Sequence, residues 1–198
     1  MTWVKLCGLR TRADVEAAVE AGADAVGFVI APGSLRVIRI GTAAEIGAGV
    51  PVDRYVVTVD LTPAELLSAA ERAGVDGVQP HGAHAREAAE AARAAGYRVL
   101  FPVPVSSSVD LRTVPDTMIP LLDTAVPGSH GGTGRSFDWS LAAGAGRRVV
   151  IAGGLTPDTV ARAVSIARPW GVDVSSGIER SPGEKDHDLM HRFVEAVR

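Results

Sequence analysis

The chain has 198 residues, 46% of them hydrophobic, with a formal charge of −3 and a pI near 5.9. That length and apolar content suit one compact domain, 1–198, and the absence of a basic run argues against nucleic acid as a partner. No charged leader opens the sequence and no apolar run approaches the roughly 20 residues that cross a bilayer, so no membrane partner and a cytoplasmic location are expected.

In chain order, short β-branched runs alternate with Ala-rich helical stretches. The expected strands are Val4-Cys7, Ala25-Ile30, Tyr55-Val59, Gly77-Gln79, Arg98-Val103, Met118-Leu122, Val149-Ala152 and Val172-Ser175. Helices fit at Arg12-Ala21, Pro63-Ala73, Ala85-Ala95, Pro157-Ala167 and Asp186-Val197, with weaker candidates after the second, fifth and sixth strands. Eight strand–helix units of this kind predict a single (βα)8 TIM barrel of the α/β class, with some helices weak or shortened. The Pro- and Ser-rich stretch Pro102-Pro115 reads as a loop with an imperfect fifth helix.

A small internal echo marks the joints between helices and strands. Gly22-Ala23-Asp24-Ala25, Gly74-Val75-Asp76-Gly77 and Gly171-Val172-Asp173-Val174 each put Gly where a helix stops and Asp before an apolar strand. Their aspartates are therefore expected at the bottom of the barrel as structural groups, although the eighth strand is short enough for Asp173 to reach the mouth.

The chemistry-bearing residues cluster at strand C-terminal ends, where such barrels keep their sites. Cys7, the one cysteine, closes the first strand, and a thiol aimed out of a strand end can serve as base or nucleophile. A lone cysteine excludes an intrachain disulfide and a thiolate-only zinc site. The histidines His81, His84, His130, His187 and His191 show no strong metal spacing, and His187 and His191 read as surface groups of the last helix. Asp123 ends an apolar Leu121-Leu122-Asp123 run, an expensive place for a carboxylate without a role.

An open doubly wound sheet would place a Gly-rich phosphate loop straight after its first strand, where this chain has Cys7-Gly8-Leu9-Arg10. The glycine-rich turns come late instead: Gly131-Gly132-Thr133-Gly134, Gly153-Gly154 and Ser175-Ser176-Gly177. They follow the sixth, seventh and eighth strands, the usual phosphate site of a barrel, where close-lying backbone N–H groups meet an anion. Gly132, Thr133, Gly134, Gly153, Gly154, Ser175, Ser176 and Gly177 are therefore the expected phosphate cradle. The far end of the ligand then lies over the early strands, near Cys7, Arg36 and His81.

Together these segments resemble the phosphoribosylanthranilate isomerase family of tryptophan biosynthesis. The resemblance rests on Lys5-Leu6-Cys7-Gly8-Leu9, Gly27-Phe28, Ser34-Leu35-Arg36, Gln79-Pro80-His81-Gly82, Leu121-Leu122-Asp123, Gly132-Thr133-Gly134 with Phe137-Asp138-Trp139, Ala152-Gly153-Gly154-Leu155, and the block from Gly171 to Glu179 ending in Lys185-Asp186. It runs from end to end of the chain, and its most specific pieces are the cysteine strand and the last block.

The resemblance implies an Amadori rearrangement of a phosphoribosyl substrate, with no metal or organic cofactor. It makes Asp123 the general acid and Cys7 the general base, and it sets Arg36 against the anthranilate carboxylate with Asp173 as a further substrate contact, while His81, ending the fourth strand, is expected to hydrogen-bond the substrate or to position Arg36, with a purely structural role also open. A free thiol is only a few per cent thiolate at pH 7, and lowering its pKa by ~1.5 units needs about 2 kcal/mol of preferential stabilisation. Lys5 shares Cys7's strand face one layer deeper, so it is expected to contribute field rather than contact. Asp123 needs the opposite shift, which burial supplies.

Departures from the family pattern are Val57-Thr58-Val59-Asp60, which adds a carboxylate near the mouth, Leu35 in place of a proline, and Pro80 in place of a leucine. The related histidine-pathway isomerases carry an aspartate where Cys7 stands and a stronger two-fold repeat, and a non-catalytic phosphosugar-binding module would need neither Cys7 nor Asp123. The sequence leaves monomer and homodimer both open.

Overall fold

A computed structural model describes residues 1–124 and 136–198. Eight parallel strands close into a barrel in sequence order: β1 (Trp3–Cys7), β2 (Ala25–Val29), β3 (Asp53–Val59), β4 (Gly77–His81), β5 (Arg98–Val105), β6 (Ile119–Thr124), β7 (Val150–Ile151) and β8 (Gly171–Val174). The barrel shuts where β1 pairs with β8 in the register Lys5↔Asp173. A two-stranded antiparallel ribbon, β9 (Glu179–Ser181) with β10 (Glu184–Lys185), follows β8. No helix of the described residues is long and apolar enough to cross a membrane.

Six α-helices pack outside: α1 (Arg12–Glu20), α2 (Ile40–Gly47), α3 (Pro63–Ala73), α4 (Ala85–Ala94), α5 (Val160–Ala167) and α6 (His187–Val197). Their ends follow local chemistry. Thr11 with Asp14, and Thr62 with Glu65, form reciprocal capping boxes, and Pro63 opens α3 where its missing N–H costs nothing. Gly74 ends α3 in the left-handed conformation. Of the three weaker helix candidates, α2 forms, and among the described residues after β6 there is a 3-10 turn at Trp139–Ala142. The one after β5 is absent; there Arg147 donates to the carbonyls of Val114, Pro115 and Met118, each at 2.7 Å, and pins the chain without a helix.

The echo of three Gly-Asp joints holds twice. Asp24 and Asp76 sit below the strands, and each carboxylate accepts the second amide of a neighbouring strand, Val4 N at 2.8 Å and Arg54 N at 2.9 Å. The third expectation fails. Arg168 takes the left-handed turn after α5 and β8 already starts at Gly171, so Asp173 lies inside the strand, 6% exposed, and faces the barrel interior.

That interior is layered. Trp3 stacks on Trp170 at 5.0 Å and meets Tyr55 edge-on, sealing the bottom beneath an apolar layer that includes Leu100, Leu121 and Val150. Above it lies a buried polar layer of Lys5, Gln79 and Asp173. Cys7 packs with Val29 and Val57 toward the mouth.

Candidate active site

The buried polar layer is one connected network. Lys5, with zero exposure, donates to Asp173 Oδ1 and to Gln79 Oε1, both at 2.9 Å. An ammonium only donates, so Gln79 must turn its oxygen toward Lys5 and its NH2 toward His81 Nε2, 3.1 Å away. His81 Nε2 then accepts and the ring proton lies on Nδ1. His81, the last residue of β4, is thus oriented from below by the same network.

Cys7 stands beside this network. Burial pulls the Lys5 ammonium toward neutrality, but Asp173 and Cys7 outweigh it and raise its pKa, so Lys5 stays charged. For Cys7 the balance falls the other way: burial pushes the thiol up, and Lys5 and Lys185 only partly offset it. The resting thiol therefore lies above its ordinary value, and the lowering that proton abstraction calls for is expected only with substrate in the site. Lys5 Nζ and Cys7 Sγ lie against the same point, 3.2 and 2.7 Å from where a Cβ on Gly27 would stand, so the ammonium comes closer to the thiol than one layer of depth suggests. A four-carbon side chain rising along the barrel wall spans the step between positions two apart on one strand face.

Across the mouth, Asp123 is next to last in β6, with its carboxylate accepting Thr124 N at 2.8 Å. Burial raises its pKa to about 6 against the opposing Thr124 amide, with nearby Asp173 adding to the rise. Beside it the β7 and β8 turns converge on a small cavity of about 40 Å³ lined by Asp123, Gly153, Gly154, Asp173 and the Ser175–Gly177 turn. Space dictates the glycines. A Cβ on Gly153 would lie 2.7 Å from Asp123 Oδ1, and one on Gly177 would lie 1.8 Å from the Leu155 carbonyl. Two of the three expected glycine turns are thus brought together, while Gly132, Thr133 and Gly134 lie outside the described residues.

Arg36 is held by a partner the sequence reading passed over. Its Nε and Nη2 donate to Glu179 at 2.6 and 2.8 Å, and Glu179 also accepts from Lys185 Nζ at 2.8 Å and from Gly183 N. Burial raises the Glu179 pKa, but Arg36 and Lys185 outweigh it and leave the carboxyl below its usual value. One edge of the guanidinium is spent on Glu179. The edge carrying Nη1 has no protein partner among the described residues and keeps a fork for a planar anion. The signal for Glu179 and Lys185 is the Pro182-Gly183 turn between them, which folds the ribbon back and sets both side chains against Arg36.

The remaining expectations resolve locally. Asp60, in the left-handed region at φ 57, accepts from Ala83 N at 2.7 Å and so is tied to the neighbouring loop, while Arg54 pairs with Asp76 at the barrel's other end. His187 is a surface group that pairs with Asp14 at 3.0 Å. Among the described residues no group of three metal-ligating side chains converges.

A closed eight-stranded barrel with a buried thiol, a proton-holding carboxyl and two glycine turns at one mouth defines a small-molecule site of the acid–base kind. The model of the family described as "N-(5'phosphoribosyl)anthranilate (PRA) isomerase" matches residues 4–196, and the chain belongs to that family. It is 41% identical to the N-(5'-phosphoribosyl)anthranilate isomerase of Acidithiobacillus ferrooxidans, covering 100% of this chain and 98% of that one. The crystal structure of the phosphoribosyl anthranilate isomerase from Thermotoga maritima superposes with a TM-score of 0.89 at 38% identity, over 99% of this chain and 98% of that one. A phosphoribosyl anthranilate isomerase in complex with reduced 1-(o-carboxyphenylamino)-1-deoxyribulose 5-phosphate matches at TM-score 0.84 and 36% identity, over 99% of this chain and 98% of that one.

Proposed function

We propose that this chain, as one catalytic barrel domain, isomerises N-(5-phosphoribosyl)anthranilate to 1-(2-carboxyphenylamino)-1-deoxyribulose 5-phosphate, an intramolecular redox step of tryptophan biosynthesis. In this reading the phosphate sits at the Gly153-Gly154 and Ser175–Gly177 turns, and the anthranilate carboxylate meets the outer edge of Arg36. His81 and Asp173 border the sugar. Asp123 delivers its proton to the ribose ring oxygen as the C1–O bond breaks and the anilino nitrogen forms an iminium. Cys7 then takes the C2 proton, the C2–H electrons neutralise the iminium, and the resulting enol-amine tautomerises to the ketose. Hydrogen moves from C2 to C1, so no external oxidant or reductant enters.

The observation that carries this reading is the paired environment at one mouth: a carboxyl whose pKa is raised to about 6 opposite a thiol backed by an ammonium. This reading is compatible with a monomer or a homodimer. A reduced, buried thiol suits the cytoplasm.

The test is the fluorescence change on conversion of phosphoribosylanthranilate. We expect Cys7→Ser to lower kcat by about 10²–10⁴, the range for removing a general base. Turnover by Cys7→Ser at the unaltered rate would remove the thiol from the mechanism. Tight phosphosugar binding by the unaltered protein without turnover would make the barrel a binding module instead.

A further inference from the structure

The Lys5 ammonium, with zero exposure, has three protons that need acceptors. Two are committed, to Asp173 Oδ1 and Gln79 Oε1. The third has no oxygen acceptor among the described residues, and the Cys7 sulfur is a near neighbour of the ammonium, both lying against Gly27. A neutral thiol sulfur is a weak acceptor and a thiolate a strong one, so an ammonium in this position favours the ionised form of its neighbour.

The strand opposite has been shaped to allow this approach. Gly27, the register partner of Cys7 on β2, has no positive φ to explain a glycine there, and a glycine within a strand weakens it. Its explanation is spatial. A Cβ at Gly27 would lie 2.7 Å from Cys7 Sγ, 3.1 Å from Lys5 Cε and 3.2 Å from Lys5 Nζ. Sulfur and ammonium therefore crowd around the same point, the point a side chain on Gly27 would fill.

We propose that Lys5 is the positioning residue of Cys7, sharing one ammonium between Asp173 and the sulfur so that the thiolate is stabilised where the C2 proton must be taken, with Gly27 leaving the room for it. This rests on reading Cys7 as the general base. Asp173 and Cys7 are then competitors for one cation. In the resting site Asp173 holds it and burial keeps the sulfur protonated. Any event that draws charge away from Asp173 turns Lys5 toward the sulfur. The charged groups acting on Cys7 are Lys5 from β1, Asp173 from β8 and Lys185 from β10. Lys185 is already engaged by Glu179 at 2.8 Å, by the Ser175 carbonyl at 2.8 Å and by Ser175 Oγ at 3.5 Å, which uses its three protons and leaves Lys5 as the cation with one to give.

The competition makes two substitutions move one quantity in opposite directions. Cys7 is the only cysteine, so the ultraviolet absorbance of its thiolate, read as a difference against Cys7→Ser, follows this one group across pH. Lys5→Gln is expected to move the thiolate titration to higher pH by about one unit or more and to cut the thiolate fraction at neutral pH about tenfold. Asp173→Asn is expected to move it to lower pH. The limb of the kcat profile that rises with pH should shift with the titration in each variant. Circular dichroism checks that each variant is folded, and if Lys5→Gln does not fold the Asp173→Asn arm stands alone. A damaged scaffold would not give opposite signs. A titration that stays put in Asp173→Asn, or that moves upward in both variants, overturns the proposal. Were Cys7→Ser inactive while the titration ignored both neighbours, the thiol would remain the base and Lys5 would lose its role. Opposite shifts with a fully active Cys7→Ser would keep the coupling and end the reading of Cys7 as base.

Discussion

The two ends of the barrel treat the same side chain differently. At the bottom, Asp24 accepts the Val4 amide and the Arg198 guanidinium, and Asp76 accepts the Arg54 amide and Arg54 Nε, so each carboxylate is held by a backbone amide and a cation. In the upper half, Asp173 has the single ammonium of Lys5, and the Asp123 carboxylate is held by the Thr124 amide, with burial as the dominant influence on it. Full coordination makes a carboxylate a girder that joins adjacent strands. Under-coordination plus burial lifts the Asp123 carboxyl to about 6, where it exchanges a proton near neutral pH, and leaves Asp173 bound to one cation alone. The lesson is that coordination, not residue type or strand position, separates the two uses.

The widest test of this contrast is Asp123→Asn. Activity should fall by about 10²–10⁴, as for loss of a general acid. Stability should move the other way. Asp123 binds its proton more tightly folded than unfolded, so its contribution to stability is intact below about pH 4 and is lost as pH rises through about 6. Moving a carboxyl from 3.8 to about 6 corresponds to roughly 3 kcal/mol. Denaturant melts should show Asp123→Asn gaining up to that amount at about pH 8 and nothing near pH 4. Loss of stability at both pH values would mean that this carboxyl is a girder after all.

A smaller effect is expected at Gly27→Ala, where the added methyl meets Cys7 Sγ at 2.7 Å. Overpacking should cost about 1–3 kcal/mol in urea unfolding. Turnover should fall further than that loss explains, because the methyl wedges Lys5 from the sulfur; equal turnover in the folded variant would separate the packing from the chemistry.

The smallest effect belongs to the bottom. Asp76→Ala should lower stability by about 1–2 kcal/mol through the orphaned Arg54 amide and leave kcat and KM unchanged. A drop in kcat would break the division between the two ends.

Much of this was legible from sequence. The eight strands fall within one or two residues of their expected starts because each β-branched run is bounded by glycine, proline or a helix signal. The three strand-end residues Cys7, His81 and Asp123 were visible because polar groups closing apolar runs are conspicuous. Three things were not. Asp173 stayed between two readings because it shares its Gly-x-Asp pattern with Asp24 and Asp76, and the left-handed turn at Arg168, three residues earlier than the pattern implied, is what moves it into the interior. The reach of Lys5 depends on the empty side of Gly27, a contact between strands that one strand's periodicity does not encode. Glu179 is 143 positions from Arg36, and their pairing is a property of the closed barrel and its ribbon.

The stacked indoles at the bottom have a practical consequence. Trp3 belongs to the first strand and Trp170 immediately precedes the last, so their 5.0 Å stack forms only when the two ends of the chain have met. With one further tryptophan in the chain, Trp139, exciton coupling between these two rings gives the molecule a built-in optical gauge of ring closure. It separates a strand bundle that has merely collapsed from one that has joined up, in a single spectrum and without a label.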